Sequence, residues 1–233
     1  MLCKSAQIAY KDEAINIIHI HDESTEKIKE ANQSFKAVKL PMKTIMYARL
    51  IAYWQAAKAI DEPLVFVDTD MLIVQPLRTR ARHGSPVLCR RSFDVNAIGP
   101  LKAKMAGGVI RFPFDPKKSL GELFPFLGCY LETGDHYFLE SLCEYYANLE
   151  EIFKHWYGDQ IAIREIAALN KFSPQEVEEK THACLPEKIG RINADKIKIL
   201  HFKGNRKPQM VYFLESFIKH GISHTINLLK LNQ

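Results

Sequence analysis

The sequence predicts an α/β domain with a mixed, mostly parallel central sheet flanked by helices. Three observations carry that prediction. Leu64, Val65, Phe66 and Val67 form an unbroken apolar run, rich in β-branched and aromatic residues, of the kind found in strands covered on both faces, which belong mostly to parallel sheets. Stretches of helical periodicity alternate with strand-like runs along the chain. A chain of 233 residues, 47% of them apolar, supplies one substantial core and is short for two, so residues 1–233 are read as a single domain.

Leu2 to about Tyr10 is compatible with a short helix, and INIIHI, Ile15 to Ile20, reads as a strand. Asp22 to Ser24 can cap a helix running through Ile28 to about Phe35. Pro41 opens a longer helix, Met42 to about Ile60, in which Ile45, Arg49 and Tyr53 recur at i, i+4 spacing beside Met46, Ala52 and Ala56. Arg49 therefore sits on the buried stripe. A buried guanidinium needs a partner, either an internal carboxylate or an anionic or polyhydroxyl ligand at the edge of the core.

Beyond the central strand, Arg78, Arg80, Arg82, Arg90 and Arg91 surround a strand at Pro86 to Cys89. Such a cluster reads first as a solvated face and second as a surface for an acidic acceptor. MAGGVIRF, Met105 to Phe112, is a strand entered through Gly107 and Gly108, and a glycine pair lets backbone approach a ligand or another strand closely. Pro113 to Thr133 carries prolines and glycines among Phe114, Phe124 and Phe126, and reads as a long ordered loop at a binding rim. Helices follow at Asp135 to Asn148 and Gly158 to Leu169, the second with Asp159 and Gln160 in its first turn, where simple capping explains an acid equally well. QEVEEK reads as a solvated turn or short helix and KIKILHF as a strand. After GNRKP, residues 209–231 form an amphipathic helix whose stripe, Met210, Phe213, Leu214 and Phe217 among it, is core packing in the first instance and membrane-surface docking in the second.

Asp68 and Asp70 end the central strand with Thr69 between them. In extended chain they point to the same side and repel unless something cationic sits between them. A hard divalent metal, Mg²⁺ or Mn²⁺, is an economical answer, because strand ends in open α/β sheets are where ligands bind and such ions usually hold substrate phosphates as well. An ordinary polar exit from the strand is the plain alternative, since D-x-D is a short motif.

The formal charge of +5 accompanies 27 acidic residues, so it suits an anionic small molecule as readily as nucleic acid. Cys3, Cys89, Cys129, Cys143 and Cys184 are odd in number and scattered, which suggests neither a disulfide framework nor a zinc site and points to a reducing compartment. The N-terminal stretch lacks the apolar core of a signal peptide, and no run is long enough to span a bilayer. A soluble, cytoplasmic protein is expected, with a peripheral position at a membrane surface as the alternative.

The order YARL, an apolar strand into DTD, GGVIRF, GDQ and LHFKGNRKP resembles the GT-A-fold glycosyltransferases, above all the family 8-like nucleotide-diphospho-sugar transferases. His201, Gly204, Lys207 and Pro208 reproduce the H-x-x-G-x-x-K-P motif of that family with its spacing. The resemblance covers most of the chain from about Ile15 to Pro208. It implies a GT-A-like (Rossmann-like) fold and a metal-dependent transfer of sugar, with retention, from a nucleotide-sugar donor, in the first instance a UDP-sugar, to a glycan, protein or lipid acceptor, without nucleic acid. Asp68, Asp70 and His201 would hold Mn²⁺ or Mg²⁺. Arg49, Thr69, Gly107, Gly108, Gly204 and Lys207 would contact the donor. Asp159 and Gln160 would lie at the sugar near its anomeric carbon, as the catalytic positions, with no nucleophilic role given to Gln160.

The sequence departs from the family in three places. Ala106 stands where an Asn usually precedes the sugar-facing glycine, Gln209 replaces an aromatic after K-P, and the opening strand that supplies uracil and ribose contacts is missing from the reading. Two rivals follow: a non-catalytic or truncated GT-A-like binding protein, and a Mg²⁺-dependent aspartyl-phosphate phosphohydrolase built on FVDTDM. His201 and Lys207, each taken alone, read as a strand-end histidine and an exposed loop cation.

Overall fold

The computed structural model describes residues 1–11, 13–21, 26, 28–29, 31, 33–36, 45–92, 102–105, 108–111, 114–115, 117–154 and 157–231. These form an α/β protein whose four-stranded sheet has the order β3 (Leu64–Val67), β8 (Phe126–Thr133), β5 (Val87–Arg90), β9 (Gln175–Glu178). β8 runs antiparallel to both β3 and β5, and β9 runs parallel to β5. Two antiparallel pairs stand beside it: β4 (Met71–Ile73) with β10 (Ile199–His201), and β6 (Lys102–Met105) with β7 (Gly108–Arg111). β1 (Ile18–His21) and β2 (Gln33–Lys36) pair in parallel. The pairing is thus mixed and mostly antiparallel among the described strands, which corrects the mostly parallel sheet expected. An apolar run reports that both faces of a strand are covered. It carries no information about the direction of its neighbours.

Both faces of the sheet are packed. On one, Phe66, Leu88 and Leu131 meet Leu50, Leu142 and Ile163 from α2 (Ile45–Ala59), α4 (Tyr137–Ala147) and α5 (Gly158–Ala167). On the other, Val87, Cys89 and Leu127 pack with Met71 and with Ala6 of α1 (Leu2–Ala9). A further cluster joins Leu72, Leu200 and Phe202 to Met210, Phe213 and Phe217 of α7 (Lys207–Leu231), the expected core-facing stripe. Gly221, at φ 76° and ψ 174°, interrupts α7 in a region essentially reserved for glycine.

Several local expectations are corrected. Residues 33–35, expected in the helix that Asp22 to Ser24 would cap, belong instead to the strand β2 beside β1, while the capping residues 22–24 lie outside the described residues. Pro113 to Thr133 is not a loop: after the short helix α3 (Leu120–Leu123), closed by a capping box between Ser119 and Glu122, β8 fills the middle of the sheet. QEVEEK, expected as a solvated turn or short helix, is a short helix only at its end and is not solvated throughout. It supplies β9 and then α6 (Glu179–His182), where Glu179 is 2% exposed and accepts a hydrogen bond from the Ser92 amide. Ile45 is exposed, so the buried stripe of α2 begins one turn later than its spacing suggested.

β8 also carries a bulge. Leu131 faces Leu88 but Leu127 faces Cys89, so Gly128, Cys129 and Tyr130 have no opposite number in β5. Bulges bend a strand and re-aim its side chains. This one lies beside the end of β3, where the Asp68 amide donates to the Cys129 carbonyl.

Candidate functional site

Asp68 and Asp70 do not occupy extended chain, as the same-side argument assumed. Residues 69 and 70 turn, and the Met71 amide returns to the Asp68 carbonyl at 3.3 Å. The turn delivers the chain into β4, whose antiparallel partner β10 pairs Met71 with His201, and the Phe202 amide donates to the Asp70 carbonyl at 2.8 Å. Backbone pairing therefore carries His201 to Asp70: Nε2 lies 3.4 Å from Asp70 Oδ1. Asp68, Asp70 and His201 each offer a ligand atom within 4.8 Å of the others.

Lys207, at the start of α7, places Nζ 3.5 Å from Asp70 Oδ2. The His201 hydrogen bond, ahead of the Lys207 charge, holds the Asp70 carboxyl below the usual carboxylate range against the opposing effect of burial. Gly204 opens the turn before α7 at φ 65°, and a Cβ there would meet nothing within 4 Å. Its backbone conformation, rather than crowding, is what calls for glycine.

A second group of charges adjoins the first. Arg49 Nη1 donates to Asp68 Oδ1 at 2.9 Å and Nη2 is in very short contact with Asp159 Oδ2. Asp159 is 1% exposed at the first turn of α5, and its Oδ1 is buried with no hydrogen-bond partner among the described residues. Burial raises the Asp159 carboxyl, with Arg49 opposing; burial would also pull the Arg49 guanidinium down, but Asp159 and Asp68 outweigh it. Arg49 thus has internal carboxylate partners, the first of the two options its burial allowed. Gly128, in the bulge, leaves room for the pair: a Cβ on it would overlap the Asp159 carboxylate and lie 2.6 Å from Arg49 Nη2.

The remaining expected positions divide. Gln160 is half-buried, and its Oε1 accepts from Arg91 at 2.9 Å. Thr69 is exposed in the turn. Gly108 opens β7. Gly107 lies outside the described residues. Sequence reasoning missed Gly128, hidden in what read as a loop, and Arg91, absorbed into a cluster of five arginines. The cluster reading holds for its neighbours: Arg78 pairs with Glu13 and Arg90 with Glu176, both at exposed positions.

Two carboxylates and an imidazole that can converge on one point can hold a cation. The oxygen majority suits a hard divalent ion. His201 is 6% exposed, so its ring needs little ordering to serve. Its Nδ1 is buried without a partner among the described residues, so the outer acceptor that usually fixes a metal-bound histidine is missing from that set. The fold and site together define an α/β protein with a carboxylate–imidazole cluster at a strand end, backed by a buried arginine–aspartate pair. Searches against protein-family models and against curated proteins find no match for this chain.

Proposed function

We propose that this chain is a metal-dependent glycosyltransferase of GT-A type that moves a sugar, with retention, from a nucleotide-sugar donor, first of all a UDP-sugar, to a glycan, protein or lipid acceptor. The observation that carries the reading is the meeting of Asp68 and Asp70 with His201, which lie far apart in the chain and which only the resemblance to the family 8-like transferases brings together. A divalent ion held there would neutralise the charge that grows on the departing diphosphate. Lys207, 63% exposed beside Asp70, adds a point charge next to the same phosphates. The buried Asp159 presents its unpartnered Oδ1 as an acceptor for a sugar hydroxyl, and Arg49 keeps that carboxylate in place. A phosphohydrolase fits less well, because Arg49 already engages the carboxylate that would have to attack phosphorus.

A thermal-shift panel of UDP-glucose, UDP-galactose, UDP-N-acetylglucosamine and GDP-mannose with Mn²⁺ tests the proposal. A donor present at 100 times its dissociation constant adds about 2.7 kcal/mol, or roughly 5–11 °C for a chain of this size. That gain is expected to require Mn²⁺ and to vanish in His201→Ala. If no donor stabilises the protein, or if the gain survives loss of His201, the proposal fails. Metal-dependent donor binding without transfer or hydrolysis would favour the non-catalytic reading.

A further inference from the structure

Arg91 follows β5 and is held at three points. Its amide donates to the Pro125 carbonyl at 2.8 Å, Nε donates to the Phe124 carbonyl at 3.1 Å, and Nη2 donates to Gln160 Oε1 at 2.9 Å. A guanidinium has no acceptor to offer, so the group facing it must be the oxygen of the Gln160 amide, and Nε2 must point the other way. Among the described residues nothing accepts from that Nε2. Gln160 also adjoins Asp159, whose carboxylate reaches Asp68 through Arg49.

We infer that Arg91 is a positioning residue that engages the carbonyl of Gln160, so that this side chain meets the donor as an amide N–H and serves by hydrogen-bonding an oxygen of the sugar or of the departing phosphate. This inference rests on the glycosyltransferase reading. The competing role, attack on the anomeric carbon by the amide oxygen, uses a lone pair of that oxygen and leaves positive charge spread over the amide. With a guanidinium 2.9 Å from the same atom, that charge would build up against a like charge. The arrangement has the opposite effect on N–H donation, because a cation bound to the carbonyl withdraws electrons from the amide nitrogen and strengthens its donors.

The test has two arms. The first needs no donor: the side-chain amide signals of Gln160 in ¹⁵N-labelled protein are assigned by their loss in Gln160→Glu. In Arg91→Ala they are expected to move toward the position of a free glutamine, with Arg91→Lys, which keeps a cationic donor, in between. Signals that do not move in Arg91→Ala overturn the inference. The second arm follows nucleoside diphosphate release from whichever nucleotide sugar of the panel binds with Mn²⁺. Gln160→Glu retains an oxygen for Arg91 but has no N–H, and is expected to lose at least tenfold in kcat with Mn²⁺ binding unchanged. Undiminished turnover in Gln160→Glu, or a covalent sugar adduct on Gln160 of the natural chain seen by mass spectrometry, overturns the inference. If no nucleotide sugar of the panel binds the natural chain, the glycosyltransferase reading fails, and the donor role inferred for Gln160 fails with it, whatever the amide signals show.

Discussion

Replacing Gly128 with alanine puts one methyl group into the tightest place at the site. The glycine has no positive φ, so its backbone conformation is open to any residue and alanine brings no backbone strain. In an ordinary strand position the exchange favours alanine by roughly 0.5–1 kcal/mol. Here the new Cβ overlaps the Asp159 carboxylate and lies 2.6 Å from Arg49 Nη2. Moving the guanidinium alone leaves the carboxylate overlapped, so Asp159 has to shift and the ion pair shifts with it. Removing the partner of a buried charge costs about 3–5 kcal/mol. Because the pair is displaced and neither partner is deleted, we expect a smaller loss of about 2–3 kcal/mol, which for this chain length corresponds to roughly 4–12 °C in Tm. Urea unfolding of four proteins checks the reasoning: the natural chain, Gly128→Ala, Arg49→Ala with Asp159→Ala, and all three together. With the pair gone, the alanine is expected to cost less than about 0.5 kcal/mol, since nothing is left for it to displace. An equal cost in both backgrounds, or no cost in the natural chain, would refute the steric account.

Three further outcomes follow from the same structure. Asp70→Asn is expected to weaken Mn²⁺ binding at least tenfold by isothermal titration while costing less than about 1 kcal/mol of stability, because its contacts to His201 and Lys207 are long and partly exposed. Glu132 is 2% exposed and accepts from Thr79 Oγ1 at 2.9 Å, from the Arg80 amide at 2.8 Å and from the Tyr130 hydroxyl; Glu132→Ala strands these donors and should cost about 3 kcal/mol in urea unfolding, and Glu132→Gln distinctly less. Burial pushes the His182 imidazole down to about 4. Between that value and the ordinary one near 6.5 the unfolded chain takes up a proton that the folded chain refuses, so the contribution is complete above about pH 6.5 and is lost as pH falls toward 4. His182→Asn should remove about 1–2 kcal/mol of the difference in stability between pH 7 and pH 4.5, and an unchanged difference would count against burial as the cause.

What the sequence revealed, and what it hid, follows from the range of each signal. β3, α2, α5 and β10 were legible because their patterns are local: a short apolar run, a helical stripe around Arg49, a glycine-led first turn. The link from Asp68 and Asp70 to His201 was available only through the family resemblance, and its cause, the Met71 to His201 register, was not legible at all. β8 was hidden because Gly128 and the nearby prolines look like breakers, yet Gly128 is there to admit the Arg49–Asp159 pair and Pro125 stands just outside the strand. β9 was hidden because only Val177 of its four residues is fully buried, so alternation had too little to show. Strand direction depends on partners far away in the chain and leaves no mark on a four-residue run.

The repulsion that first drew attention to Asp68 and Asp70 is answered within the protein itself, and the way it is answered bears on how a cation would enter. Asp68 is held firmly through one oxygen by Arg49 at 2.9 Å, while Asp70 is held loosely by His201 at 3.4 Å and by a mostly exposed Lys207 at 3.5 Å. Asp68, Asp70 and His201 would hold a divalent ion here, and the long contacts of Asp70 are the ones weak enough to give way. The Arg49–Asp159 pair behind it need not open, and the Phe202 to Asp70 backbone bond keeps the ligand-bearing strands in register. Under the proposed function, the buried Arg49–Asp159 pair would be the fixed reference against which a donor is aligned.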